Sequence, residues 1–174
     1  MKTIAISFGR FNPPHVGHLT AWNMAKQHTD YIIGTNPNTS GKKDPLTFEE
    51  KIDIIGKIDK DIASHVVPHT SWFTIVTEAY EKYPSHALVL ITDEQWVVDS
   101  ITKYNGVESN HGYYNFSKII HEKSPRLTSA TNIRQAVINN DIEQFAKSVG
   151  LGEIIDIHSY FDLVKRSIAR TRVC

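Results

Sequence analysis

Two histidines carry the strongest chemical signal in this chain. They stand in the run Gly9-Arg10-Phe11-Asn12-Pro13-Pro14-His15-Val16-Gly17-His18. An apolar segment, Thr3 to Phe8, precedes the run and reads as a buried strand. A helical stretch, Leu19 to Gln27, follows it. A strand, a tight Gly/Pro turn and a helix start together form an anion-handling device. Unpaired backbone N–H groups and the positive end of the helix both favour phosphate. Residues i and i+3 share a helix face, so both imidazoles should meet the same ligand. Asn12 is expected to cap the helix, with Pro13 at its first position. Gly17 inside a helix costs roughly 1 kcal/mol relative to alanine. Its expected use is to let a bulky ligand approach the backbone closely. Neutral imidazoles at this spacing could also ligate zinc, but no third ligand stands at a telling distance. The bland alternative is two partly exposed histidines on a surface helix.

A second junction is Thr128-Ser129-Ala130-Thr131-Asn132-Ile133-Arg134. Its hydroxyls could cap a helix or bond phosphate oxygens. Arg134 lies one turn after Thr131 on the same face, and a planar guanidinium suits bidentate phosphate binding. Alone, this run reads as an ordinary N-cap followed by a solvated arginine. Beside the first run it reads as the other half of a phosphate clamp.

The elements that must position these residues alternate along the chain. Strands are expected at Thr3–Phe8, Asp30–Gly34, Val66–Val67, Ala87–Ile91 and Phe116–His121. Helices are expected at Pro14–Gln27, from Thr47 onward, at Trp72–Tyr83, Glu94–Tyr104, Ala130–Asn139, Ile142–Ser148 and Ser159–Arg170. Thr47-Phe48-Glu49-Glu50 has the capping-box form. Thr35–Pro45, with Lys42 and Lys43, is a long polar loop of the kind that often serves function. Ala87–Ile91 is apolar throughout, as a strand covered on both faces should be. Alternation of this kind predicts an α/β, Rossmann-like five-stranded parallel sheet with helices on both faces. Ligands of such sheets sit beyond the carboxyl ends of the strands. Trp72 and Trp96 follow the third and fourth strands, where either could stack on a base or a nicotinamide-like ring, although a core role is favoured for both. Trp22 is expected in the core.

Bulk composition narrows the class. The 174 residues fit a single domain spanning 1–174, with a C-terminal helical segment from about 140. The 19 basic and 19 acidic residues balance, which argues against a nonspecific nucleic-acid binder. One cysteine, Cys174, excludes an internal disulfide and a cysteine metal cage. No apolar run approaches the ~20 residues of a membrane span. Met1-Lys2-Thr3-Ile4 lacks a signal-peptide form, so a cytoplasmic protein is expected. A homo-oligomer is left open.

Gly9–His18 resembles the HxGH signature of the nucleotidyltransferase superfamily, relatives of class I aminoacyl-tRNA synthetases. Ser129–Arg134 is similar to that superfamily's second signature. Asp44–Lys51 is similar to the segment after strand two in nicotinamide-mononucleotide adenylyltransferases. The resemblance covers roughly residues 1–150. It implies transfer of a nucleoside monophosphate, AMP favoured, from ATP to a small phosphorylated acceptor such as nicotinamide mononucleotide, with pyrophosphate leaving. A cytidylyltransferase using CTP and a phosphorylated alcohol or sugar is the near alternative. A noncatalytic nucleotide sensor is the alternative of another class. In this scheme His18 would stabilise charge at the α-phosphate and His15 would bind the triphosphate. Arg134, Ser129 and Thr131 would hold the leaving phosphates. Gly9, Arg10, Phe11, Asn12, Gly17, Asp93 and Ala130 would line the nucleotide. Lys42 or Lys43 would close over phosphates or grip the acceptor. Mg2+ would arrive with the triphosphate and need no protein cage. The pattern departs at Ile91-Thr92-Asp93, where the Gly of a Gly-x-Asp element is missing. Both histidines are expected to be neutral without ligand, because a helix N-terminus disfavours imidazolium.

Overall fold

The computed structural model describes residues 1–172. The chain divides into two compact units, whose segments alternate along the sequence. One comprises Met1–Gly9, Thr20–Asn36 and His65–Pro125. The other comprises Arg10–Leu19, Pro37–Ser64 and the residues from Arg126 onward.

The first unit holds the sheet. Its strands are β1 (Thr3–Gly9), β2 (Asp30–Thr35), β3 (Val66–Pro68), β4 (Ala87–Ile91) and β5 (Ile119–Glu122). They lie in the order β3-β2-β1-β4-β5, and every pairing is parallel. This is the expected Rossmann-like α/β sheet. β1 runs between β2 and β4, with Ile6 opposite Ile32 on one side and Leu90 on the other. Ile4, Ile6, Ile32, Leu88 and Leu90 form one core. They pack with Ile75, Val76 and Ala79 of α4 (Trp72–Lys82) and with Val97 and Ile101 of α5 (Gln95–Lys103). The alternate residues Ala5, Ile33 and Val89 are also fully buried, so the sheet is covered on both faces. Trp22 is fully buried, as expected. Gly34 marks a close approach, because a Cβ there would lie 2.7 Å from Ile75 Cδ1 and 3.0 Å from Phe8 Cδ2.

One strand starts elsewhere than expected. β5 starts at Ile119 rather than Phe116. The side chain of Asn105 accepts the Phe116 N–H (2.8 Å) and donates to the Phe116 carbonyl (2.9 Å). Those backbone groups are therefore satisfied without a neighbouring strand, while the Phe116 ring stays in the core.

The second unit is helical. It contains the first turn of α1 (Val16–Lys26), then α2 (Phe48–Ile58), α3 (Lys60–Ser64), α6 (Ala130–Ile138), α7 (Ile142–Val149) and α8 (Ile157–Arg172). The capping box read from Thr47 and Glu50 is formed in both directions. The short α3 was not anticipated, and α8 begins two residues earlier than the sequence suggests. Asp156 explains that start, since its carboxylate accepts the N–H groups of His158 and Ser159. Leu46, Ile54, Ile133, Val137, Phe145, Tyr160 and Val164 share one core. Phe145 sits edge-on to Tyr160 (5.4 Å) and Phe161 (5.3 Å). No helix among the described residues is long and apolar enough to cross a membrane.

Phe145→Ala should cost about 3–5 kcal/mol, because the ring is fully buried and its neighbours are held by helices that cannot all collapse inward. Urea unfolding measures it, and a loss below about 1 kcal/mol would contradict this packing.

Candidate active site

The two histidines meet because of how α1 begins. Leu19 N–H donates to the His15 carbonyl (3.1 Å), which makes His15 the N-cap and His18 the third helical residue. The His15 N–H donates to His18 Nδ1 (3.1 Å), and the Gly17 N–H donates to His15 Nδ1 (3.1 Å). This is a capping box built from imidazoles, in which N-cap and N3 satisfy backbone donors at the helix start. It brings the rings into a stack, with centroids 3.6 Å apart and planes 20° from parallel. The Phe11 ring stands edge-on to His18 at 4.8 Å. Each imidazole accepts at Nδ1, so each neutral ring carries its proton at Nε2 and presents one N–H donor.

Three expectations change here. Asn12 does not cap the helix, because α1 starts four residues later. Instead its side chain clips another segment. Nδ2 donates to the Leu46 carbonyl (3.2 Å) and Oδ1 accepts the Leu46 N–H (2.9 Å), with Asn12 fully buried. Pro13, joined to it by a cis bond, likewise lies before the helix. Gly17 does spare space, but for His15. A Cβ on Gly17 would lie 2.9 Å from His15 Cε1 and 3.1 Å from Nδ1. Finally, the rings are disfavoured as imidazolium, as expected, but burial is the main cause. It pushes His15 down to about 4. His18 falls well below its ordinary value by burial, with the neighbouring His15 and Lys51 adding to it.

Lys51 is a candidate site side chain that motif reading does not single out. It is almost wholly buried on α2, and its ammonium donates to the Arg10 carbonyl at 3.0 Å. Burial lowers its pKa to about 8, against an upward pull from Asp44. A signal was present: Ile54 and Ile55, three and four residues on, share its helix face, so a cation stood on an apolar stripe. Arg134 donates from Nη1 to the Asn12 carbonyl (2.8 Å) and from Nη2 to Thr131 Oγ1 (3.3 Å). Burial lowers its pKa, Arg10 adds to that, and Asp44 opposes it. Lys51 and Arg134 are thus cations that share the charge of one carboxylate, with Arg10 beside Arg134. Asp44 is itself held by the Ser40 hydroxyl (2.7 Å). Tyr160, also unforeseen, donates its hydroxyl to the Pro14 carbonyl next to His15.

The remaining candidates sort by unit. Ser129 is the N-cap of α6 without a side-chain cap bond, Ala130 opens that helix, and Thr131 is exposed. Lys42 and Lys43 stand exposed in the turn closed by paired backbone bonds between Ser40 and Asp44. Gly9, Trp72, Asp93 and Trp96 belong to the first unit. There Gly9 ends β1, and half-buried Trp72 packs edge-on to Phe8 at 5.7 Å. Asp93 is half-buried between β4 and α5. Trp96 does not take the core role favoured for it: it is 58% exposed, with its indole N–H on Glu94.

A parallel sheet in this order, with paired neutral imidazoles at the start of the first helix and clustered cations beside them, defines a nucleotidyltransferase of the HxGH class. Residues 6–136 match the cytidylyltransferase-like family, and the chain belongs to it. It is 29% identical to a "Probable nicotinate-nucleotide adenylyltransferase" of Cytophaga hutchinsonii over 91% of this chain and 97% of that one. It is 27% identical to a protein of the same name from Flavobacterium johnsoniae, over 68% and 69% of the two chains. The fold is similar to that of Plasmodium falciparum nicotinic acid mononucleotide adenylyltransferase complexed with NaAD. The TM-score is 0.61 at 15% identity, covering 94% of this chain and 98% of that one.

Two outcomes follow from this geometry. His15 should titrate near 4 in the folded protein, against 6.5 when unfolded. The unfolded chain then binds the proton first, so stability is unaffected above pH 6.5 and declines as pH falls from there towards 4. NMR titration of the ring proton checks this, and a midpoint near 6.5 would contradict it. Gly17→Ala should displace the His15 ring and lower turnover by about 10²-fold with the fold intact by circular dichroism. Wild-type turnover would refute the steric role.

Proposed function

We propose that this protein transfers the adenylyl group of ATP to a pyridine mononucleotide, the nicotinate form first, and releases pyrophosphate. The observation that carries this is the imidazole capping box beside Lys51 and Arg134. It places imidazole N–H donors, a buried lysine and a half-buried arginine together, a set whose charge and donors suit a polyphosphate. The names of the Cytophaga and Flavobacterium relatives support the adenylyl and nicotinate assignments.

The chemistry asks little of the side chains beyond placement. An acceptor phosphate monoester has its second pKa near ~6, so it is already an anionic nucleophile at neutral pH. Its oxygen attacks the α-phosphorus, a new P–O bond forms, and the bond to the β-phosphate oxygen breaks. Negative charge builds on the non-bridging oxygens and on the leaving pyrophosphate. The His18 Nε2–H would meet the first and the His15 Nε2–H the triphosphate. Arg134, with Ser129 and Thr131, would hold the departing phosphates. Such groups act by position and charge rather than by proton transfer. Lys42 and Lys43 would screen phosphate charge from their turn. Lys51 holds Arg10 in place, and a polyanion nearby would favour its charged form.

Magnesium belongs to the same reading. No group of three His, Cys, Asp or Glu side chains among the described residues could hold a metal ion, and Asp44 is engaged by Ser40. The ion would therefore be held by phosphate oxygens and water, where it neutralises triphosphate charge. A cytoplasmic location, where ATP is held, completes the proposal.

A pyrophosphate-release assay should cross the four nucleoside triphosphates with nicotinate mononucleotide, nicotinamide mononucleotide and phosphorylated alcohols. Release is expected with ATP and nicotinate mononucleotide. Release with CTP and a phosphorylated alcohol would overturn the assignment in favour of a cytidylyltransferase, and binding without release would point to a sensor. In the productive pair, His18→Ala should lower turnover by about 10²–10³.

A further inference from the structure

Between α2 and α8, within the helical unit, lies a cavity of about 200 Å³ lined by none of the phosphate-site side chains. Ile54, Ile155, Tyr160 and Leu163 give it an apolar wall, and Lys57 and Ser159 stand at its edge. Asp156 also borders it and stays negatively charged, its carboxylate tied to its own helix start by the N–H groups of His158 (3.0 Å) and Ser159 (3.3 Å) and by the Ser159 hydroxyl (3.2 Å). Among the described residues, no carboxylate pairs with the Lys57 ammonium. An apolar wall with one unpaired cation at its edge matches an apolar body with a single acidic group. The volume limits that body to one ring or a short branched chain.

The walls of this cavity also hold the histidine turn. The Tyr160 ring lines the cavity, and its hydroxyl bonds the Pro14 carbonyl beside His15. Ile54 lies one helical turn from Lys51, whose ammonium bonds the Arg10 carbonyl. Both bounding helices therefore carry a hydrogen bond to the segment that carries the imidazoles. Packed side chains transmit displacement because they cannot compress.

We propose that this cavity binds a small apolar acid, its carboxylate at Lys57, and that occupancy is felt at His15 through Tyr160. The test uses the full-length chain, with phenylacetate and its uncharged counterpart 2-phenylethanol titrated by methyl and imidazole NMR. Both should give saturable shifts at the Ile54 and Leu163 methyls, with phenylacetate at least about threefold tighter. Lys57→Gln, an exposed change, should erase that preference. Leu163→Trp, which fills the space, should abolish both titrations. The His15 ring should shift on saturation in the native chain but not in Tyr160→Phe. Absence of saturable methyl shifts in the native protein would overturn the site. Equal affinity for acid and alcohol would overturn the ligand class. A His15 response that persists in Tyr160→Phe would overturn the route. All readouts are of binding, so they stand apart from the transferase reaction.

Discussion

The site depends on one interaction, the backbone of a helix start gripping two imidazoles by their Nδ1 atoms. A helix leaves its first N–H groups unsatisfied, and hydroxyl or carboxylate side chains usually accept them. Here imidazoles do so, and the substitution has consequences that a serine–glutamate pair would not. Each ring loses the freedom to choose its tautomer. Each must sit over the first turn, which stacks the two at 3.6 Å and requires a glycine beneath His15. The spacing of His15, Gly17 and His18 is therefore the spacing of a cap. One nitrogen of each ring serves the helix start, and the proton of the neutral ring stands on the other.

Around that cap the helical unit trades stability for a ready electrostatic field. Burying Lys51 and half-burying Arg134 disfavours their charged forms, and the carbonyls of Arg10 and Asn12 offset only part of that cost. Two histidines kept neutral avoid adding more positive charge to the same small volume. A polyanion would favour the charged forms of Lys51 and Arg134, as Asp44 already does in part. The structure around the cap is correspondingly over-determined. Asn12 clips Leu46 in both directions, Tyr160 holds Pro14, and Arg170 of α8 pairs with Glu50 (2.8 Å) and the Pro45 carbonyl (2.9 Å) at the start of α2. Phe11 occupies left-handed backbone at φ 47°, a strain that surrounding contacts must sustain.

Much of this was legible in the residues because local rules and the fold agree. Ala87–Ile91 reads as a doubly covered strand and is one, and Thr47–Glu50 reads as a capping box and forms one. Alternation of strands and helices was enough for the parallel sheet. What was not legible depends on partners distant in the chain. Nothing near Phe116 announces that Asn105 will take its backbone bonds and delay β5. Nothing near Asn12 announces Leu46, so a local capping role looked sufficient. The five-residue α3 is too short to carry a periodic pattern. Gly17 reads as room for a ligand, but the occupant of the space is the neighbouring imidazole, a contact that spacing alone does not reveal. Lys51 could have been found, since a lysine on an isoleucine face calls for a reason.

The central claim is that backbone N–H groups fix both rings as neutral Nε2–H imidazoles. Long-range 1H–15N correlation spectra of the ligand-free protein at pH 7 test it most directly. The account predicts that His15 and His18 each show a protonated Nε2 and an unprotonated, hydrogen-bond-accepting Nδ1. A protonated Nδ1 in either ring, as the other tautomer or as imidazolium, would contradict it.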